Sequence, residues 1–214
     1  KIYPSVYWLF AVQAIALASG ALPTWQLARQ AGLKESQSVA MAAVYLLYPL
    51  IFNVNLFDFH PEVIALPLFL AAVLAARRNQ IRWFCLYVCL ILGCKAVLSF
   101  TVAAMGFWLF VFEKRRLYGA IALGAGVAWF LIASRIIIPT FSGAEPAAVG
   151  RYSYLGNSVP EIAKNIIFQP ALILEKVFVL SNLEYLVLLL APVIWGFSLT
   201  GIKPLVAAIP CVAL

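Results

Sequence analysis

A chain of 214 residues with 65% hydrophobic and only 11% charged side chains, at a mean hydropathy of +1.00, carries more apolar surface than a soluble core can bury, which excludes an ordinary soluble domain. Its net charge of +7 would suit nucleic acid in a soluble protein, but the Lys and Arg residues gather in short loops between apolar runs, so membrane topology accounts for them and no nucleic-acid partner is expected. The apolar runs are rich in Ala, Gly and Leu and lack strand alternation, which sets aside a β-barrel and predicts an all-α, polytopic transmembrane helix bundle.

In chain order, the first span is expected over residues 6–28, interrupted by Gln13 and Pro23, with Arg29 and Lys34 in the loop after it. Positive charge assigns that loop to the inside. A second span over residues 38–56 rises to the motif NLFDFHPE, where Asp58, His60 and Glu62 stand close together and Pro61 suits the first turn of the next helix. A third span, residues 62–76, descends to Arg77, Arg78 and Arg82. Two shorter apolar stretches, 83–94 and 96–112, flank Lys95 and read as an up-and-down pair. At 1.5 Å per residue the first of these is only about 18 Å long. Lys114, Arg115 and Arg116 return the chain inside, and residues 117–138 ascend again.

Residues 139–184 form the longest hydrophilic stretch and are expected as one large outer loop, with 160–168 and 170–180 as short helices at the membrane interface. Residues 185–199 descend, Lys203 marks an inside loop and the last residues begin a further span, which makes about seven spans in a single transmembrane domain over 1–214. This assignment puts nine of the fifteen Lys and Arg inside and six of the eight carboxylates outside, as the positive-inside rule asks. The chain opens at Lys1 without a methionine and closes at Leu214 within an apolar segment. The expectation is a piece cut at both ends from a longer protein.

An acid, an imidazole and a second acid at a helix–loop boundary can bind a divalent cation or handle protons, which makes Asp58, His60 and Glu62 the first candidates and gives Asp58 and His60 as metal ligands. The same residues also suit a structural turn, with Asp58 as a helix cap. Lys95 lies between apolar runs, where a charge needs a carboxylate, a cavity or an anionic ligand, or else snorkels to the interface. Arg135 faces the same choice, and Gln13 suits an interhelical hydrogen bond. The loop containing Arg151, Tyr152, Tyr154 and Asn157 offers donors to a phosphate or sugar, although girdle aromatics and turn glycines explain the same composition. Cys85, Cys89, Cys94 and Cys211 all sit in apolar stretches and read as small hydrophobes. No P-loop, HExxH, nucleophile elbow or GxGxxG turn is present.

Taken in order, AVQAIALASGALPTWQLAR, LFDFHPEVIALPLFL, CKAVLSFTVAAMGFWLF with its basic cluster, IIIPTF, RYSYLGNS and YLVLLLAPV resemble the bacterial membrane family called domain of unknown function 2079. That resemblance implies, by the family's fold likeness to GT-C glycosyltransferases, a multi-pass inner-membrane enzyme that moves a sugar from a polyprenyl-phosphate donor to an acceptor on the non-cytoplasmic face. It assigns Asp58, His60 and Glu62 to metal, acceptor or proton handling, and Lys95 and Arg151 to the donor phosphate. An acidic residue of a first outer loop is expected to precede Lys1. Relatives commonly carry Lys-Glu-Asp where this chain reads Lys95, Ala96 and Val97, so no role of that acidic pair transfers. The competing expectations are a transporter or flippase of lipid-linked or anionic solutes and a non-catalytic membrane subunit.

Overall fold

The computed structural model describes residues 5–56, 58–142, 165, 168, 179–196 and 203–208, and all regular structure among them is helical. Helix α1 (Tyr7–Ser19) runs into α2 (Ala21–Gln30) with little break, so that Tyr7–Gln30 is one apolar length. A turn carrying Gly32 at φ +89 leads to α3 (Glu35–Leu47), and α4 (Pro49–Leu56) follows at a bend of 41°. Pro49 lacks the N–H that a straight continuation would need, and the extended backbone of Tyr48 before it makes the bend.

The polar turn leads through a 3-10 turn, Pro61–Ile64, into α5 (Ala65–Arg77), and Pro61 occupies the first helical turn as expected. Helices α6 (Ile81–Cys94), α7 (Leu98–Val111) and α8 (Arg116–Ile132) complete an antiparallel set with α5. Their short connections use left-handed backbone at Asn79 (φ 59) and Lys114 (φ 56), which stops each helix within one residue or two. Helix α8 continues through a π-helical turn, Ala133–Ile137, into α9 (Ile138–Ser142). The helix thus outlasts the expected boundary before Pro139, and the π-helical turn just ahead of it loosens the regular hydrogen-bond ladder where a proline inside a helix disrupts it. Later, α10 (Leu180–Leu190) starts inside the expected outer loop and ends in a 3-10 turn, Ala191–Gly196.

By length and composition, Tyr7–Gln30 and Arg116–Thr140 can each cross a membrane, and the bent pair α3 and α4 makes a third if it is one span. Helices α6 and α7 are apolar but shorter, at 14 residues each, or about 21 Å. Among the described residues, this measure shows two or three of the seven expected spans, with shorter apolar helices beside them. Large side chains such as Trp8, Ile15, Leu117 and Val127 stand exposed, the outcome expected where lipid is the solvent.

The core belongs to α5–α8. Phe84, Val88 and Ile91 of α6 and Val102, Met105 and Leu109 of α7 are buried against Ala72, Ala75 and Ala76 of α5 and Ala122 of α8. The tightest approach is between α7 and α8, where backbone nearly touches backbone. A Cβ on Gly106 would fall 2.4 Å from the Leu123 nitrogen, and one on Gly119 would fall 2.7 Å from the Gly106 oxygen. Gly126 sits equally close to Ser99 and Ala103. Small residues at these crossings let dispersion and weak polar contacts act where no hydrophobic force between helices is available.

These contacts predict that Gly119→Ala destabilises the protein by about 1–3 kcal/mol through overpacking, whereas Gly124→Ala, with nothing within 4 Å of its Cβ, leaves it unchanged or slightly more stable. Thermal unfolding in detergent checks this, and equal melting of the two variants contradicts the packing described.

Candidate functional site

Lys95 begins the turn between α6 and α7 at their end away from the Arg77, Arg78 and Arg82 cluster. Its Nζ lies 2.5 Å from Oε1 of Glu62 in the 3-10 turn before α5. The pair closes that end of the α5–α7 set. Glu62 is 28% exposed and Lys95 51% exposed, so both ions still meet solvent. Burial works to raise the Glu62 pKa, but the Lys95 hydrogen bond, a backbone N–H and the charges of Lys95 and His60 outweigh it. The carboxyl is held below its ordinary range and stays ionised.

The turn that carries Glu62 is fastened from α1. Gln13 is fully buried, and its side-chain amide donates to the Val54 carbonyl at 3.0 Å while its oxygen accepts the His60 backbone N–H at 3.1 Å. One side chain therefore ties the last turn of α4 and the entry to α5 to the same helix. This is the interhelical role expected of Gln13. Tyr45 of α3 donates to the Leu17 carbonyl at 2.9 Å and lies over Gly20, where a Cβ would collide with its ring. Gly20 lets α3 approach α1, and that contact positions α4 above the turn.

His60 Nδ1 lies 2.7 Å from the Asp58 carbonyl, so its ring folds back onto its own turn. Asp58 is exposed and does not cap the following helix, whose N-cap residue is His60 with no side-chain cap bond. Glu62 bonds Lys95, and the His60 charge also acts on its carboxyl. Among the described residues no group of three or more His, Cys, Asp or Glu side chains is placed to hold a metal ion. Arg135 is exposed on the π-helical turn. Arg151, Tyr152, Tyr154, Asn157 and Cys211, with most of the expected outer loop, lie outside the described residues. Cys85, Cys89 and Cys94 are free thiols.

At the other end of α5, Arg77 meets Glu113 through Nη2–Oε1 at 2.7 Å and Nε–Oε2 at 3.3 Å, and its guanidinium lies 6.0 Å from the Trp108 ring centroid. Arg115 donates to Asn79 and to the Arg77 carbonyl. These bonds join the α5–α6 and α7–α8 turns. Between the two ion pairs runs a cavity of about 550 Å³, reaching from Glu62 to Arg77 along Leu66, Phe69 and Val73 of α5 and facing Leu98 and Met105 of α7. Its walls are almost entirely carbon. The cavity and both partnerships escape sequence reasoning, because each depends on which helices become neighbours; the lone Glu113 beside a run of three basic residues was the available signal.

Long apolar helices with exposed carbon faces, charge sorted to helix ends and small-residue helix contacts define an α-helical integral membrane protein. The chain belongs to the predicted membrane protein family DUF2079, whose model matches residues 1–214. Neither a curated protein nor a solved structure matches it.

The lowered Glu62 pKa makes the Lys95 pair pH-dependent. Its contribution is full above the unfolded glutamate value, about 4.3, and is lost as pH falls through the lower folded value. Lys95→Gln is therefore expected to melt below the parent at neutral pH, by the equivalent of at most about 1 kcal/mol for so exposed a pair. The gap should close below about pH 4. A gap that persists or widens in acid, measured by unfolding across pH, contradicts the pairing.

Proposed function

We propose that the chain is the membrane-embedded part of a GT-C-like transferase, which moves a sugar from a polyprenyl-phosphate donor to an acceptor hydroxyl on the non-cytoplasmic face of a bacterial inner membrane. In this proposal α5, α6, α7 and the α10 region cross the membrane as well, which restores about seven spans. Short helices are accommodated by local thinning and by their longer neighbours. The basic ends then face the cytoplasm and the Glu62–Lys95 turn faces outward.

The observation that carries the proposal is the Glu62 carboxylate held against the Lys95 ammonium at the mouth of an apolar cavity. Transfer from a phosphate needs a base for the acceptor and a cation for the leaving group, and this pair supplies one of each. Glu62 takes the proton of the acceptor hydroxyl as its oxygen bonds to the anomeric carbon. The carbon–oxygen bond to the donor phosphate breaks, and Lys95 offsets the charge left on the polyprenyl phosphate. His60 and Asp58 flank the acceptor side of the turn, and Arg151, Tyr152, Tyr154 and Asn157 are assigned to the donor phosphate and sugar.

A divalent cation was expected on Asp58 and His60. These two side chains alone do not make up a ligand set, and Glu62 is engaged by Lys95, so no step here runs through a metal. The carbon walls of the cavity also disfavour an aqueous path for a small anionic solute.

In the intact protein, assayed with a polyprenyl-phosphate sugar, Glu62→Gln is expected to lower transfer by about 10²–10⁴-fold, the usual span for a lost general base. Asp58→Asn and His60→Ala should lower it less. Transfer unchanged in all three variants sinks the proposal.

A further inference from the structure

The cavity between α5 and α7 has an ion pair at each end, and the two differ. Arg77 is engaged twice by Glu113 and lies near Trp108, and that end is further fastened by Arg115. Lys95 has a single carboxylate in contact and is half exposed. An ammonium carries three donors. The Glu62 end is therefore the one that can exchange partners.

Length narrows what could lie between them. From Glu62 to Arg77 the wall follows one 3-10 turn and then α5, a reach of about 22–24 Å. One leaflet of hydrocarbon is only about 15 Å deep, half of the bilayer core. A tail anchored in one leaflet would fill some two-thirds of the wall, whereas a longer chain can line all of it.

We propose that this cavity and Lys95 form one binding site for a long-chain lipid phosphate, in which Glu62 holds the place of the lipid's phosphate on Lys95 until the lipid arrives. A phosphate oxygen is a strong charge-assisted acceptor and displaces the carboxylate. The chain runs down the cavity toward Arg77. Displacement also matters for Glu62 itself, because a carboxylate that loses its ammonium partner becomes a stronger base just as the donor is seated. The chemistry after binding rests on the transferase proposal, but the site and the exchange concern binding alone.

The experiment uses the full-length protein in lipid nanodiscs and measures apparent Kd by native mass spectrometry and titration. The probes are a long polyprenyl phosphate, a short prenyl phosphate, a two-tailed phosphatidic acid and inorganic phosphate. Glu62→Gln, which removes the competing charge, is expected to tighten the polyprenyl phosphate by about tenfold, and Lys95→Gln to weaken it by about as much. Val73→Trp, and independently Leu70→Trp, should fill the deep part of the cavity and weaken the long chain while sparing the short one. Melting of each variant confirms that it is folded.

Three results overturn the proposal. They are weaker or unaltered binding in Glu62→Gln, long-chain binding indifferent to both tryptophans, and phosphatidic acid or inorganic phosphate binding as tightly as the long chain. Binding that behaves as expected with no sugar transfer by the parent protein overturns the transferase proposal and leaves the lipid site standing.

Discussion

Charge is costly inside an apolar helix bundle, and the charged groups beside α5–α7 gather at helix ends, where Glu62, Lys95, Arg77, Glu113 and Arg115 find partners. Glu62 meets Lys95 across one end, and Arg77 meets Glu113 across the other. Together the two pairs set the axial register of α5 against α7. Between them the glycines of α7 and α8 bring backbones into contact, so the helices are fixed lengthwise by charge and sideways by shape.

The polar turn depends on the first helices as much as on the bundle. Gln13 is the only buried amide in the described core of α1, and its two bonds go to the last turn of α4 and to the polar turn after it. Burial strengthens those bonds and makes their loss expensive. Tyr45, bonded to α1, and the bend at Tyr48 and Pro49 bring α4 down onto that amide, and the Tyr48 hydroxyl donates to the Leu189 carbonyl of α10. A residue in the first helix thereby governs where His60 and Glu62 stand, some fifty positions later.

Much of this was legible in the sequence, for a physical reason: hydropathy and short-range chemistry are local. The basic loops, the start at Pro61, the exposure of a charge at Lys95 and the bonding role of Gln13 all follow from a few neighbouring residues. What was not legible depended on register between distant segments. Nothing near Lys95 says that its carboxylate will be Glu62, and the cluster of Asp58, His60 and Glu62 suggested one convergent group where Glu62 in fact bonds Lys95, with the His60 charge acting on it as well. Helix ends at the basic turns fell within a residue or two of expectation, because Arg77, Arg78 and Lys114 mark them locally, whereas the helix that runs on through Pro139 to Ser142 did not show in hydropathy. The Gly106, Gly119 and Gly126 contacts were hidden because glycine in an apolar helix looks the same whether it faces lipid or another backbone.

If the bundle works in this way, the Glu62–Lys95 turn and the basic end lie on opposite faces of the membrane, joined by the apolar cavity. Single cysteines introduced as Asp58→Cys or Lys114→Cys, in the full-length protein with Cys85, Cys89, Cys94 and Cys211 replaced by serine, can be probed in the cell with a membrane-impermeant maleimide. The expected result is that the thiol at 58 reacts from outside and that the thiol at 114 reacts only after the membrane is opened. Reaction of both thiols from the same side would contradict this arrangement.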